Sequence, residues 1–284
     1  MTERDKDPMV TPAWLSEHLR APDIRVVDAT WFLPGEERDP KALYAERRIP
    51  GAIFFDIDEI ADTDSALPHM LPPPEKFASR MRKRGIGDGA RVVVYDNHGL
   101  FSAARVWWTF RVMGHEDVVV LDGGFPAWEA AGCEIEIGPP QNRMERHFTP
   151  RVRADLVRSA SDMRRIIETN SAPIFDARPA PRFRGEAAEP RAGLKGGHMP
   201  GAANVPAGTL TQDGKLKSAE ELKAVFVDAG ADLTRTAICS CGSGVTAAII
   251  ALALARLGRW DAAVYDGSWA EWGALPDAPI VTGA

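Results

Sequence analysis

The sequence predicts an α/β protein made of two tandem domains, each a mainly parallel sheet flanked by helices. Length is the first reason: 284 residues exceed what one hydrophobic core usually supports, so two domains of roughly 130 residues are expected. Pattern is the second, because short apolar strands alternate with amphipathic helices in each half, as in a parallel sheet covered on both faces. The third is that the chain repeats itself, and a repeat sets the architecture before any local reading does.

The repeat is carried by landmarks in a fixed order. Val92-Val93-Val94-Tyr95-Asp96, a small-residue loop and Ser102 to Trp108 read as strand, tight loop and helix, ending at Gly114. Ala237-Ile238-Cys239-Ser240, a second loop and Thr246 to Ile250 read the same way, ending at Gly258. Gly114 and Gly258, Asp122 and Asp266, Gly123 and Gly267, and Trp128 and Trp272 are each 144 residues apart. Two further echoes precede them: Val26-Val27-Asp28-Ala29 against Ile174-Phe175-Asp176-Ala177, and Arg48-Ile49-Pro50-Gly51-Ala52 against His198-Met199-Pro200-Gly201-Ala202. The chain is a tandem duplication, with domains over 8–138 and 155–284. A polar, Pro-rich linker over 139–154 opens at Gly138-Pro139-Pro140-Gln141-Asn142-Arg143 and lacks periodicity.

In the second half, strands are expected at Ile174-Phe175-Asp176, Ala203-Asn204-Val205, Thr236 to Cys239 and Ala263-Val264-Tyr265. Helices are expected at Ser161–Thr169, Ser218–Ala229, Val245–Leu257 and Ser268–Trp272, with Ser218 and Glu221 as a capping box. The tryptophans at 107, 108, 128, 269 and 272 fall on helical apolar faces and are read as core.

Composition narrows the function classes. With 45% hydrophobic and 26% charged residues the chain reads as an ordinary soluble globular protein, and a net charge of -6 disfavours nucleic acid and anionic membranes as partners. The longest apolar stretch, Ala247 to Ala255, is too short to span a bilayer. The mixed-charge start, Met1 to Asp7, lacks the apolar region of a secretory signal. Three cysteines, Cys133, Cys239 and Cys241, are too few for a disulfide scaffold and indicate a reducing, cytoplasmic compartment. Cys239 and Cys241 are spaced C-x-C, with no second pair and no nearby histidine, so neither a C-x-x-C redox motif nor a zinc site is expected.

The chemistry concentrates in Cys241-Gly242-Ser243-Gly244-Val245-Thr246. This loop follows a buried strand and opens a helix, and its two glycines allow a sharp turn that aims backbone N–H groups inward. With the helix N-terminus added, a cysteine placed there is expected to react as a thiolate, and the same cradle would hold a persulfide anion. The plainer alternative is a structural cysteine beside a glycine-rich turn.

These residues resemble the rhodanese superfamily, and within it the 3-mercaptopyruvate sulfurtransferase branch. The likeness covers nearly the whole chain: Ile49-Pro50-Gly51-Ala52, Phe54 to Asp58, His69-Met70-Leu71-Pro72, Arg105-Val106-Trp107-Trp108, Leu121 to Gly124, Arg182-Phe183-Arg184-Gly185, Glu189-Pro190-Arg191, Gly197 to Gly201 and the Cys241 loop. In this family the second domain holds the nucleophile and the first is its non-catalytic copy; the offset of 144 places Asn97 opposite Cys241. Thiosulfate-preferring members resemble C-R-K-G-V-T, whereas here the two cationic positions are Gly242 and Ser243, which weakens attraction for a dianionic donor.

The resemblance therefore implies a sulfurtransferase that takes sulfur from 3-mercaptopyruvate onto Cys241 and passes it to a thiol, thioredoxin or cyanide, without metal or organic cofactor. It implies a relay of Ser243 with Asp58 and His69 from the first domain, which would put the site at the domain interface. Arg182 and Arg191 match the positions that bind the donor's carboxylate and carbonyl, with Gly242, Gly244, Val245 and Thr246 shaping the loop around it. Arg184 is read as a neighbour.

Three other functions are weighed. Thiosulfate as donor is the same chemistry with another substrate. A non-catalytic sulfur carrier or sensor would not need the retained site residues. A cysteine phosphatase of a related fold needs a C-x5-R loop, and the sixth position after Cys241 is Ala247. His198 is read as structural, Asp176 as holding a loop or Arg178, and Cys239 as pointing away from the site; Cys133 has no assigned role. Two departures from the family pattern are Arg48, where the second half has His198, and Phe101, where some relatives have tyrosine.

Overall fold

The computed structural model describes residues 7–33, 35–140 and 143–283. Met1 to Lys6 and Gln141-Asn142, on which the N-terminal and part of the linker readings rest, lie outside them. The first domain runs β1 (Met9–Val10), α1 (Pro12–His18), β2 (Ile24–Asp28), α2 (Pro40–Glu46), β3 (Ile53–Phe54), α3 (Pro74–Lys83), β4 (Arg91–Tyr95), α4 (Ala103–Val112), β5 (Val118–Leu121) and α5 (Gly124–Ala130). The second runs β6 (Val157–Arg158), α6 (Ala160–Thr169), β7 (Ile174–Asp176), α7 (Ala180–Phe183), β8 (Ala202–Asn204), β9 (Thr211–Gln212), β10 (Lys215–Leu216), α8 (Ala219–Asp228), β11 (Ile238–Ser240), α9 (Ala247–Arg256), β12 (Ala263–Tyr265) and α10 (Ser268–Trp272).

Each domain holds one five-stranded parallel sheet, in the orders β1-β5-β4-β2-β3 and β6-β12-β11-β7-β8, so the two follow one plan. The sequence repeat is a structural one, and α4 and α9 begin and end 144 residues apart. β9 and β10 form an antiparallel hairpin that no periodic signal announced. Two-residue strands are too short to alternate visibly. Ser218 and Glu221 form the expected capping box, and Ser159 with Asp162 forms a second one.

The two domains share a core. α9 is apolar all round and nine of its ten residues are buried; all ten residues of α4 are buried, and the two helices pack on each other. One hydrophobic cluster therefore runs from Phe77 and Trp107 in the first domain to Leu252 and Val264 in the second. Trp107, Trp108, Trp128, Trp269 and Trp272 are all buried, as core tryptophans should be.

The expected linker is a strap rather than a free tether. Residues 143–153 have no regular structure, yet Asp88 N–H donates to His147 O (2.8 Å), Arg151 N–H to Met113 O (2.9 Å) and Arg153 N–H to Val112 O (2.7 Å). Phe148 is buried edge-on against Phe77. Gly114 (φ +83°) has to be glycine here, because a Cβ would lie 2.3 Å from Arg151 O. A polar composition hid one anchoring phenylalanine and a ladder of main-chain bonds, which are not periodic features.

Asp28 and Asp176 end equivalent strands with different partners. Asp176 is bound by the buried Arg178, whereas Asp28 has Thr30, whose N–H and hydroxyl both donate to its Oδ1. Burial pushes the Asp28 carboxyl up to about 6 despite those bonds. A folded-state pKa above the unfolded value costs stability as pH rises from about 4 to about 6, by about 3 kcal/mol at neutral pH. Asp28→Asn keeps the acceptor and removes the charge. Its unfolding midpoint should rise by several degrees at pH 7.5 and by about a third as much at pH 4.5 in thermal melts at both pH values.

Candidate active site

Both domains present a loop at the carboxyl end of the central strand, β4 or β11, the position where parallel sheets place ligands. In the second domain this is the Cys241 loop. Cys241 O accepts from Trp269 N–H (2.9 Å) and Gly242 O from Ala270 N–H (2.8 Å), pinning the turn to α10. Cys241 N–H donates to Ser268 Oγ (3.2 Å), and Cys241 Sγ accepts from Gly244 N–H at 3.1 Å. The N–H groups of Gly242, Ser243, Val245 and Thr246 donate to no protein acceptor among the described residues. The sulfur thus sits in a turn that has spare donors, as an anion-holding loop requires.

Gly244 takes φ +80°, and a Cβ there would meet Asp266 O at 2.8 Å and Arg105 Nη1 at 2.9 Å. This left-handed residue delays the helix: α9 begins at Ala247, two residues later than the expected Val245, with Val245 buried and Thr246 half-buried in a preceding turn. At Gly242, a Cβ would lie 3.1 Å from Arg182 Nη2, so the missing side chain lets that guanidinium close over the loop.

The first-domain copy shows what the turn is shaped to hold. Sheet register aligns Asp28 opposite Tyr95 with Asp176 opposite Ser240, so Asp96, not Asn97, takes the place of Cys241. Main-chain bonds agree: Phe125 N–H donates to Asp96 O as Trp269 N–H does to Cys241 O. The constant offset misplaced the residue because the first-domain loop is one residue longer than its copy. Asp96 fills its own turn, Oδ1 accepting from His98 N–H (2.9 Å) and Oδ2 from Phe101 (2.7 Å) and Ala103 (2.8 Å). A carboxylate occupies the space that the second domain leaves for sulfur.

Asp58 and His69 do come together. His69 Nδ1 lies 2.8 Å from Asp58 Oδ1, and Trp31 Nε1 donates to Asp58 Oδ2 (3.0 Å). The pairing with His69 is the largest cause holding the Asp58 carboxyl below its ordinary value, although the ring is turned off the ideal hydrogen-bond direction. With Nδ1 toward Asp58, Nε2 is buried and has no hydrogen-bond partner among the described residues. His69 itself has φ +60°, a strained conformation for a histidine. Its loop meets the second domain through Leu71 N–H, which donates to Asp266 Oδ2 (2.8 Å). Ser243 is buried, and its hydroxyl makes no hydrogen bond to the described residues.

Arg182 projects from α7 and is bound in turn by Glu189, which also takes Arg178 (2.8 Å). No local sequence signal marks Glu189, because its burial between two arginines arises only in the tertiary structure. Arg191 lies half-buried in the following loop, with no ion-pair partner among the described residues. Arg184 pairs with Glu186 at the surface, a neighbour as expected. His198 is structural: it stacks on Phe183 at 3.7 Å and its Nδ1 contacts Phe183 O at 2.9 Å. Cys239 is a correction. It does not point away but shares the core face of Cys241, since alternate strand residues share a face, and burial pushes its thiol far up. It is sealed beneath the loop rather than turned from it.

The model of the Rhodanese-like domain family matches residues 11–131 and 159–275. The 3-mercaptopyruvate sulfurtransferase of Escherichia coli (strain K12) is 44% identical over 271 residues, covering 94% of this chain and 95% of that protein. The thiosulfate/3-mercaptopyruvate sulfurtransferase 1, mitochondrial, of Arabidopsis thaliana is 41% identical over 295 residues, covering 96% and 78%. A crystal structure of an Escherichia coli 3-mercaptopyruvate sulfotransferase with the rhodanese fold superposes with a TM-score of 0.86 at 42% identity, covering 94% of this chain and 100% of that one.

Gly244→Ala tests the loop geometry. The added methyl has no space at φ +80°, and the variant should lose about 1–3 kcal/mol of stability. Alkylation of Cys241 by iodoacetamide, followed by mass spectrometry, should change in rate, while Cys239 stays unmodified in the folded protein.

Proposed function

The chain belongs to the rhodanese family, and we propose that it transfers sulfur from 3-mercaptopyruvate to a thiol acceptor by way of a persulfide on Cys241. One observation carries this reading: Cys241 Sγ lies at a strand-to-helix turn that bonds it through Gly244 N–H, and four further N–H groups of that turn have no acceptor among the described residues.

In the proposed course, Arg182 and Arg191 hold the donor's carboxylate and carbonyl, so its sulfur lies against Cys241. The Cys241 thiolate attacks that sulfur. A sulfur–sulfur bond forms, the carbon–sulfur bond breaks, and the electron pair leaves on carbon as the pyruvate enolate. The donor's thiol proton passes through Ser243 and His69, with Asp58 fixing the ring, and ends on the methyl group of pyruvate. The loop N–H groups then hold the persulfide anion. A thiolate acceptor, such as a small thiol or reduced thioredoxin, attacks the outer sulfur and releases Cys241 as thiolate. Protons and electrons balance without metal or organic cofactor.

Charge favours mercaptopyruvate over thiosulfate. Gly242 and Ser243 add no cation, and the charge of Arg182 is largely answered by Glu189, which leaves a site better suited to a monoanion than a dianion. Thiosulfate is the second reading, supported by the Arabidopsis relative that bears both donors in its name. All three cysteines are free, which fits the reducing, cytoplasmic compartment inferred from their number. Among the described residues, no helix is long and apolar enough to cross a membrane.

The test is pyruvate release from mercaptopyruvate with a thiol acceptor, beside thiocyanate formation from thiosulfate and cyanide. Wild type should prefer mercaptopyruvate, and Cys241→Ser should lose at least about 100-fold with either donor. Arg182→Met should raise KM for mercaptopyruvate by roughly 10- to 100-fold, the worth of a charge-assisted bond pair. Faster turnover of thiosulfate than of mercaptopyruvate would overturn the donor assignment.

A further inference from the structure

One side chain ties together parts of the site that come from different domains. Arg105 lies on α4 of the first domain and is almost wholly buried. Its Nη1 is 2.7 Å from Asp266 Oδ1 and 3.2 Å from Gly244 O, both in the second domain. Its Nη2 donates to His69 O. The guanidinium carbon lies over the Trp108 ring, 4.6 Å from its centroid, a cation–π contact that helps hold the group in place. We propose that Arg105 is a positioning residue of the active site, the element that sets His69 and the Cys241 loop in register with each other. The inference rests on the persulfide reading for its kinetic arm only.

Three features make this more than a structural ion pair. The bond to Gly244 O polarises the Gly244–Val245 peptide, whose N–H is one of the donors left free beside Cys241. The bond to His69 O holds a residue at φ +60°, a conformation that needs outside support. Asp266, which neutralises Arg105, also accepts from Leu71 N–H two residues beyond His69, so the pair grips the His69 loop from both of its members. Gly244 completes the fit, since a Cβ there would stand 2.9 Å from Arg105 Nη1. Lysine carries the charge but not the fork that reaches three acceptors at once.

The experiment compares Arg105→Lys, Arg105→Met and Asp266→Asn with Arg256→Met in the full chain. Arg256 ties α9 to Asp7, Leu216 O and Lys217 O away from the Cys241 loop, and serves as a control for contacts between the domains. For each variant that melts cooperatively, kcat and KM for mercaptopyruvate and the rate of Cys241 alkylation by iodoacetamide are measured. Arg105→Lys should lower kcat by roughly 30-fold or more with KM within about 3-fold, because Arg182 and Arg191 still hold the donor. Its alkylation rate should depart from wild type, and Asp266→Asn should follow it in part, while Arg256→Met keeps wild-type kcat. If Arg105→Met fails to fold, the lysine variant carries the test alone. Arg105→Lys with wild-type kcat and alkylation, or an equal loss in Arg256→Met, would overturn the proposal. Absent turnover in wild type would defeat the functional reading instead, and the alkylation arm would still decide whether Arg105 sets the loop.

Discussion

Two helices without a solvent face govern this structure. α4 and α9 are covered by their own sheets on one side and need cover on the other, and each supplies it to the other. Leaving either exposed would put a band of Val, Trp, Phe, Ile and Leu side chains into water, at about 25 cal/mol for each Å². One core cluster is therefore shared between the domains, and each domain keeps a separate cluster of its own. Because the strand-to-helix loops open directly into these helices, the same packing brings each loop against the opposite domain.

That arrangement is reciprocal. The Cys241 loop is covered by the His69 segment of the first domain, with Leu71 N–H donating to Asp266. The Asp96 loop is covered by the β9–β10 hairpin of the second, with Leu216 N–H donating to Asp122, the residue equivalent to Asp266. There the glycine backbones of Gly99 and Gly214 meet so closely that a Cβ on Gly99 would lie 2.7 Å from Gly214 Cα. Duplication thus created two similar loops, and the chain uses them differently. One is filled by its own carboxylate and closed. In the other, cysteine replaces that carboxylate and a row of N–H donors has no acceptor among the described residues.

The charged groups follow the same division. In the second domain, Asp176, Arg178, Glu189 and Arg182 form a chain of alternating charge leading toward the loop, with Arg178 also resting on Trp269. Buried carboxylates are tolerated there because each has a guanidinium partner. At the equivalent position of the first domain, Asp28 is met by Thr30 and Tyr95 rather than by a guanidinium, and burial raises its carboxyl instead. The second domain answers this buried aspartate with an arginine, and the first does not.

The sequence by itself determined the fold class, the duplication and the chemical class, and singled out Cys241 as the nucleophile we propose. Those properties lie in local pattern: strand and helix periods, landmarks at a fixed spacing, and a glycine-rich turn whose meaning depends on adjacent residues. The pairing of Asp58 with His69 was legible only through family resemblance, since nothing local to Asp58 points to a histidine eleven residues on. Three things were left to the tertiary structure. Asp96 takes the place of Cys241 because sheet register, not residue counting, aligns two loops of unequal length. The linker is a strap because Phe148 and the Arg151 and Arg153 main chains find partners that only folding brings near. Arg105 and Glu189 acquire their contacts from groups distant in the chain, and a buried charge is defined by what surrounds it. Periodicity encodes which face a residue shows; it does not encode which residue will meet it there.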